Sequence, residues 1–338
     1  MKKTNKSNNG KKKKTGLIIF LVFLTLIIGI GIYAGVFIGS KLGALNIEEI
    51  DTSDLDANED LYDEVADAMS KSEFENILTF ALFGTDSRDS NNMSAGRSDS
   101  IIIASINTNT HTLKLISIPR DTYVSVDGYG KTKINHAYAY GGEKLAIKTI
   151  NQNFGLDITE YATIDFSGLI HVINKIGGIE LNISKSEMEY INTYVNESYK
   201  ITGNATKTLS TYGNVTLTGE QALTHSRNRT VGNDFYRAER QRAVLEAMMN
   251  KLAKMGASRL LDMSETLLRE VRTNINVMSY AGKLTDVVLN ASEYFSNLTS
   301  IQIPSTDYGK GQMISGVYYF VADEETMRQD MIDNIYRK

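Results

Sequence analysis

The chain has 338 residues, 42% of them hydrophobic, a formal net charge of -4 and no cysteine. This length allows one large domain or two small ones, and the mildly acidic balance carries no nucleic-acid footprint. Without cysteine there is no disulfide framework and no thiolate metal site. His111, His136, His171 and His225 are scattered and form no ligand pair, so a zinc or iron enzyme is not expected. Oxygen-ligated Mg2+ or Mn2+ stays open.

Lysines crowd the first residues (Lys2, Lys3, Lys6 and Lys11 to Lys14), and from Leu17 to Ile38 about 22 residues carry no charge. At ~1.5 Å per helical residue, that run covers the ~30 Å core of a bilayer. The flanking lysines assign the tail to the cytoplasm and everything after Lys41 to the outside. A cleaved signal peptide shows the same order of basic, apolar and small residues, but its apolar core is shorter, about 7–15 residues. An uncleaved anchor is therefore the expectation. Gly31, Gly35 and Gly39 repeat a spacing that packs helices in membranes and would allow a homo-oligomer through this segment. The expected organisation is a basic cytoplasmic tail (1–15), a transmembrane helix (16–40), an acidic, partly helical extracellular stalk (41–75) and a folded domain (76–338).

In that domain, Ile77 to Phe83 is an almost continuous apolar run ending at Gly84-Thr85-Asp86-Ser87-Arg88. Ile101 to Ile106 and Leu113 to Ile118 are joined by the polar turn Asn107 to Thr112, the pattern of a hairpin of buried strands. Lys144 to Phe154 predicts a helix, Ala162 to Phe166 a strand, and Phe166 to Ile176 a helix closed by Gly177-Gly178. Asp234 to Met255 is the strongest predicted helix. Strands alternating with helices point to a layered α/β domain.

Charged residues sit against these apolar elements. Asp86 and Arg88 follow a buried strand, Arg97 and Asp99 precede the next, and Arg120-Asp121 follow Pro119 at a strand end. Ligands of open α/β sheets bind beyond the carboxyl ends of strands. On a helical wheel of about 100° per residue, Val244, Leu245, Met248 and Leu252 share one face, and Arg237, Arg240 and Gln241 lie on it in the first turns. Two guanidiniums thus point inward at the positive end of a helix, which is costly unless an anion meets them. Asp86, Asp99 and Asp121 could supply it as an ion-pair network. Against that, Arg227 and Arg229 would share a face of an extended segment. With Arg88, Arg97, Arg120, Arg237 and Arg240, candidate cations outnumber candidate carboxylates. The planar fork of arginine suits bidentate phosphate binding, and aspartates near a strand end suggest a polyphosphate bridged by a divalent metal.

Six blocks occur in order: GTDSR (84–88), GRSDSI (96–101), SIPRDT (117–122), KINHAYAYGG (133–142), IDFSGLIHVINKIGGIELNI (164–183) and LTGEQALTHSRNR…DFYRAERQR (217–242). On these the chain resembles the LytR-CpsA-Psr family of wall-polymer ligases from about Asn76 to the C-terminus. The resemblance implies a mixed central β-sheet sandwiched by helices, preceded here by the single N-terminal transmembrane helix. It implies transfer of a glycopolymer (teichoic acid or capsule-type polysaccharide) from a polyprenyl-pyrophosphate carrier to peptidoglycan, outside the membrane of a Gram-positive-type bacterium. Carried over residue by residue, Asp86 and Asp99 would hold Mg2+ (or Mn2+). Arg97, Arg120, Arg227, Arg229 and Arg237 would contact the pyrophosphate, supported by Gln241, with Arg88 and Arg240 as further contacts. Phe166, Leu169, Ile170, Val172 and Ile173 are the candidate lining of a prenyl channel, or ordinary helix packing. Arg97, Arg120 and Asp121 are the candidate catalytic residues, Asp121 either as general base or as the group that orients Arg120. Asn135 and His136 fit a structural turn or a catalytic role. The partners implied are the lipid-linked glycopolymer, peptidoglycan and the bilayer, with no nucleic acid. A non-catalytic polyprenyl-phosphate binder and a lipid-pyrophosphate hydrolase remain as alternatives.

Overall fold

The computed structural model describes residues 46–85, 96–228, 269–276 and 279–337, with single positions 240, 243, 244, 247, 248, 250, 251 and 255. The described strands are β1 (Asn46–Ile47), β2 (Ile77–Thr85), β3 (Ser98–Asn107), β4 (Thr112–Ser117), β5 (Tyr123–Val126), β6 (Gly130–Lys133), β7 (Tyr161–Asp165), β8 (Ile179–Ile183), β9 (Gly213–Leu217), β10 (Val271–Thr273), β11 (Leu298–Gln302), β12 (Lys310–Ile314) and β13 (Val317–Val321). They fall in two compact units. One holds the described residues up to Val172 and after Leu261, the other those within Ile173–Leu260.

The larger unit is built on a sheet of seven described strands in the order β1-β10-β7-β2-β3-β4-β11. It is mixed: β2 runs parallel to β7 and antiparallel to β3, which forms the expected hairpin with β4. Apolar runs suit β2 and β3 because both of their faces are covered. Ile77, Ala81, Phe83, Ile101 and Ile103 join one core with the helices Ile134–Phe154 and Glu324–Ile332. Leu78, Phe80, Leu82, Ile102 and Ile106, on the opposite face, are buried too.

Two boundaries differ from the sequence expectation. The Ile134–Phe154 helix starts ten residues before Lys144, because Gly141 and Gly142 (φ 62°, ψ -152°) kink it and break the periodicity. A Cβ on Gly141 would lie 2.6 Å from Leu145 Cβ, so this close approach admits only glycine. The acidic segment, expected to be a stalk, is part of the domain from Asn46 onward. Asn46–Ile47 adds a strand to the sheet edge, and Leu55, Leu61 and Val65 are at most 1% exposed in the core. Its acidic residues stay at the surface while its few large apolar ones turn inward. Leu61→Ala is therefore expected to cost about 2–5 kcal/mol in urea unfolding. A chain starting at residue 76 should melt well below the full chain.

The smaller unit pairs β8 with β9 and packs the helices Lys185–Thr202 and Gly219–Ser226 around Ile179, Ile183, Ile191, Val195, Leu217 and Leu223. Each helix opens with a capping box, Ser184 with Glu187 and Thr218 with Gln221. The N-terminal apolar run expected to span the membrane lies outside the described residues, among which no helix is long and apolar enough to cross one.

Candidate active site

Antiparallel pairing brings the start of β3 to the end of β4, since Ile102 pairs with Ser117 and Ile118 N–H donates to Ile101 O at 2.9 Å. Asp99 and Arg120 lie just beyond that pairing, on facing segments. Arg120 Nη1 donates to Asp99 Oδ1 at 2.7 Å, and its Nε lies 3.6 Å from Asp121 Oδ2. Asp121 Oδ1 in turn accepts from Lys133 Nζ at 2.6 Å, and that ammonium sits 5.8 Å above the Tyr319 ring.

Backbone bonds fix the loop that carries the pair. Asp121 O accepts from Phe320 N–H at 2.8 Å, Arg120 O from Asn135 N–H at 3.3 Å, and Pro119 O from the Thr122 hydroxyl at 2.6 Å. Arg97 stands exposed at the entrance to β3. Burial, together with the positive charges of Arg97 and Lys133, lowers the His136 imidazole below its ordinary range. Among the described residues here, the cations Arg97, Arg120 and Lys133 outnumber the carboxylates Asp99 and Asp121, and the helical turn that starts at Ile134 opens beside Lys133. Such an arrangement binds anions. Asp121 touches two cations, a placement that orients Arg120 and still leaves carboxylate lone pairs for a general base.

The smaller unit holds a second basic group. Arg240 points inward as the helical wheel requires and is only 7% exposed, with Val244 and Met248 buried on the same face. Its anion is a protein carboxylate, however. Arg240 Nε pairs with Glu187 Oε1 at 2.7 Å and Nη1 donates to Asn228 O at 3.2 Å. Burial pushes Glu187 up, but the bonds from Arg240 and Ser184 outweigh it and hold the carboxyl below its usual range. The carboxylate that meets this expected phosphate contact lies 53 residues away in sequence. Arg227 ends the Gly219–Ser226 helix and is half-buried.

Beside Arg240, burial drives the His225 imidazole down to about 4, with Arg240 lowering it further and Glu187 opposing. A histidine whose folded value lies below its unfolded 6.5 stabilises the fold above about pH 6.5 and loses that contribution as pH falls toward 4. The loss is on the order of 3 kcal/mol. His225→Gln should flatten unfolding free energy against pH across that window. An unchanged slope would remove His225 from the acid response.

The LytR_cpsA_psr family model matches residues 46–334. This chain belongs to the LytR-CpsA-Psr family. It is 32% identical, over 92% of its length and 89% of the relative's, to the polyisoprenyl-teichoic acid–peptidoglycan teichoic acid transferase TagU of Oceanobacillus iheyensis. Among solved structures it resembles TagT bound to LI-WTA, at 26% identity and a TM-score of 0.53, over 79% of this chain and 94% of that one. It also resembles TagV of Bacillus subtilis, at 25% identity and 0.54, over 79% and 98%.

Of the residues to which the LytR-CpsA-Psr likeness gives roles, Asp86, Arg88, Arg229, Arg237 and Gln241 lie outside the described residues. In the larger unit Arg97, Asp99, Arg120 and Asp121 stand around one strand end. Ile170, Val172 and Ile173 are fully buried, while Phe166 and Leu169 are half-buried on the same helix. The cavity of about 480 Å³ in the smaller unit is lined by Asn174, Tyr199, Asn204, Lys207 and Glu220, and by none of those five. Among the described residues no three Asp, Glu or His side chains converge as a metal cluster. The metal-ligand pair named from the sequence has only Asp99 within the described residues. Sequence reasoning did not single out Lys133 or Glu187. Lys133 heads the KINHAYAYGG block, which was the available signal, whereas nothing local marks Glu187 as the partner of Arg240.

Proposed function

We infer that this protein is a phosphotransferase that moves a teichoic-acid glycopolymer from a polyprenyl-pyrophosphate carrier to peptidoglycan. The observation that carries this is Arg120, held between Asp99 and Asp121 with Lys133 and Arg97 at the same strand end, in a chain whose family relatives are named for that transfer. The acceptor sugar oxygen attacks the phosphorus that bears the polymer. Its bond to the bridging oxygen breaks, polyprenyl phosphate leaves with the electron pair, and the hydroxyl proton passes to a base, Asp121 or water. The positioned guanidinium and ammonium would stabilise charge on the phosphoryl oxygens, which is most of what phosphoryl transfer asks of a protein. Family likeness adds Arg88, Arg227, Arg229 and Arg237 to the anion contacts, with Gln241 in support.

Mg2+ or Mn2+ belongs to the same proposal. Carboxylate oxygens are its donor chemistry, and it takes few protein ligands when phosphate oxygens complete the shell. Asp86 and Asp99 would hold it, and it would neutralise the pyrophosphate. The basic tail and the uncharged run after it support an anchor that leaves the folded domain outside the cell membrane.

The test is full-length protein in detergent with labelled lipid-linked polymer, with and without peptidoglycan oligomer. Labelled polymer joined to peptidoglycan only when the oligomer is present is the expected result. Free polymer released without acceptor would make the protein a hydrolase, and no turnover would make it a binder.

A further inference from the structure

We propose that Tyr129 and Tyr140 form a stacking platform for the peptidoglycan glycan, so that the acceptor sugar is held beside the Arg120–Asp121–Lys133 cluster by neutral ring faces. The proposal rests on the transferase reading above and adds the acceptor subsite to it.

Tyr129 sits in the turn between β5 and β6, anchored by its N–H to Val126 O at 2.9 Å. Tyr140 ends the helical turn before the Gly141–Gly142 kink. Their rings stack on each other with centroids 4.2 Å apart and planes 20° apart, yet the residues are 54% and 44% exposed. Large rings left in water on a rigid hairpin and a kinked helix mark a contact surface rather than a core. Each ring covers a face of the other, and both residues keep about half of their surface in water.

The short helix sorts its side chains by spacing. Tyr138 is fully buried and bonded to Glu143 at 2.7 Å, whereas His136 and Tyr140, four residues apart, share the other face with ring centroids 5.7 Å apart. His136 feels the charges of Arg97 and Lys133, and Thr132 bonds its Nδ1 at 2.8 Å. The helical turn that carries His136 and Tyr140 begins at the cluster, where Asn135 N–H donates to Arg120 O at 3.3 Å.

Chemistry selects the occupant. A polyanionic donor is recognised by cations, which this strand end already supplies. A pyranose ring of the acceptor glycan presents a flat face of C–H groups, which packs on an aromatic ring and needs no charge. Tyrosine offers that area with few rotatable bonds to immobilise.

Soluble, uncrosslinked peptidoglycan glycan strands are titrated into full-length protein by calorimetry, and acceptor and donor KM are measured separately. Tyr129→Leu with Tyr140→Leu is expected to weaken glycan binding and raise acceptor KM about tenfold, leaving donor KM near wild type. Tyr129→Phe with Tyr140→Phe, which keeps both rings, should bind as wild type does, as should Tyr194→Ala at an exposed tyrosine of the other unit. A wild-type protein that fails to bind glycan, a Phe pair as impaired as the Leu pair, or a rise confined to donor KM would overturn the platform. Ring-dependent glycan binding without polymer transfer would keep the platform and sink the transferase reading instead.

Discussion

Arg120→Ala is expected to lower kcat/KM for polymer transfer by about 10²–10³-fold, the usual loss when one preorganised donor is removed from developing charge. Its thermal midpoint should hardly move. The Arg120 side chain is 32% exposed, and partly exposed ion pairs contribute only about 0–1 kcal/mol. The loop is instead held by backbone bonds from Phe320 and Asn135 and by the Thr122 hydroxyl, none of which involves the guanidinium.

Arg120→Lys separates charge from shape. It keeps the cation but loses the fork that can meet Asp99 and a phosphoryl oxygen together, so it should recover only about tenfold of the loss. Asp121→Asn then tests the two roles of that carboxylate. If it orients Arg120, transfer falls to about the level of Arg120→Lys and the pH–rate profile keeps its shape; if it is the base, the acidic limb of the profile disappears. Near-wild-type turnover by Arg120→Ala would refute the assignment of this strand end as the phosphate site.

Much of this site could be read before any coordinates, because its parts are short-range. Asp99 and Arg120 flank two buried strands joined by a tight turn, and antiparallel pairing alone puts them opposite each other. The inward face of Arg240 was legible too, from helical spacing. Its partner was not, because Glu187 comes from a separate helix and no periodicity links the two. The acidic segment misled for another reason. Dense Asp and Glu read as a solvated spacer, yet burial depends on Leu55, Leu61 and Val65, three side chains that composition averages away. The kink at Gly141–Gly142 hid the first turns of a helix for a similar reason, since His136, Tyr138 and Tyr140 alternate in burial around a break in the 3.6-residue pattern.

The largest stability effect is expected at a second nonlocal pair. Arg272 on β10 is 9% exposed, and its guanidinium bonds Glu143, the Tyr138 hydroxyl at 3.0 Å and Glu48 at 3.0 Å. Glu143 is 6% exposed, while Glu48 sits half in solvent and screens poorly. Glu143→Ala would leave a buried cation without its main partner, a change that costs about 3–5 kcal/mol. Glu143→Gln, which keeps an acceptor of similar shape, should cost less, about 1–3 kcal/mol. Glu143→Leu combined with Arg272→Met removes both charges and should recover most of the loss, since apolar replacement of a whole buried pair is often neutral. Urea unfolding of the three variants decides this, and a double variant no better than Glu143→Ala alone would mean that packing, not charge, sets the cost. Tyr138 and Glu143 also bracket the kink, so losing Glu143 should loosen residues 134–142 first. Amide exchange there should rise more than in β2 or β3, and faster exchange in the central strands instead would place the damage in the sheet through β10.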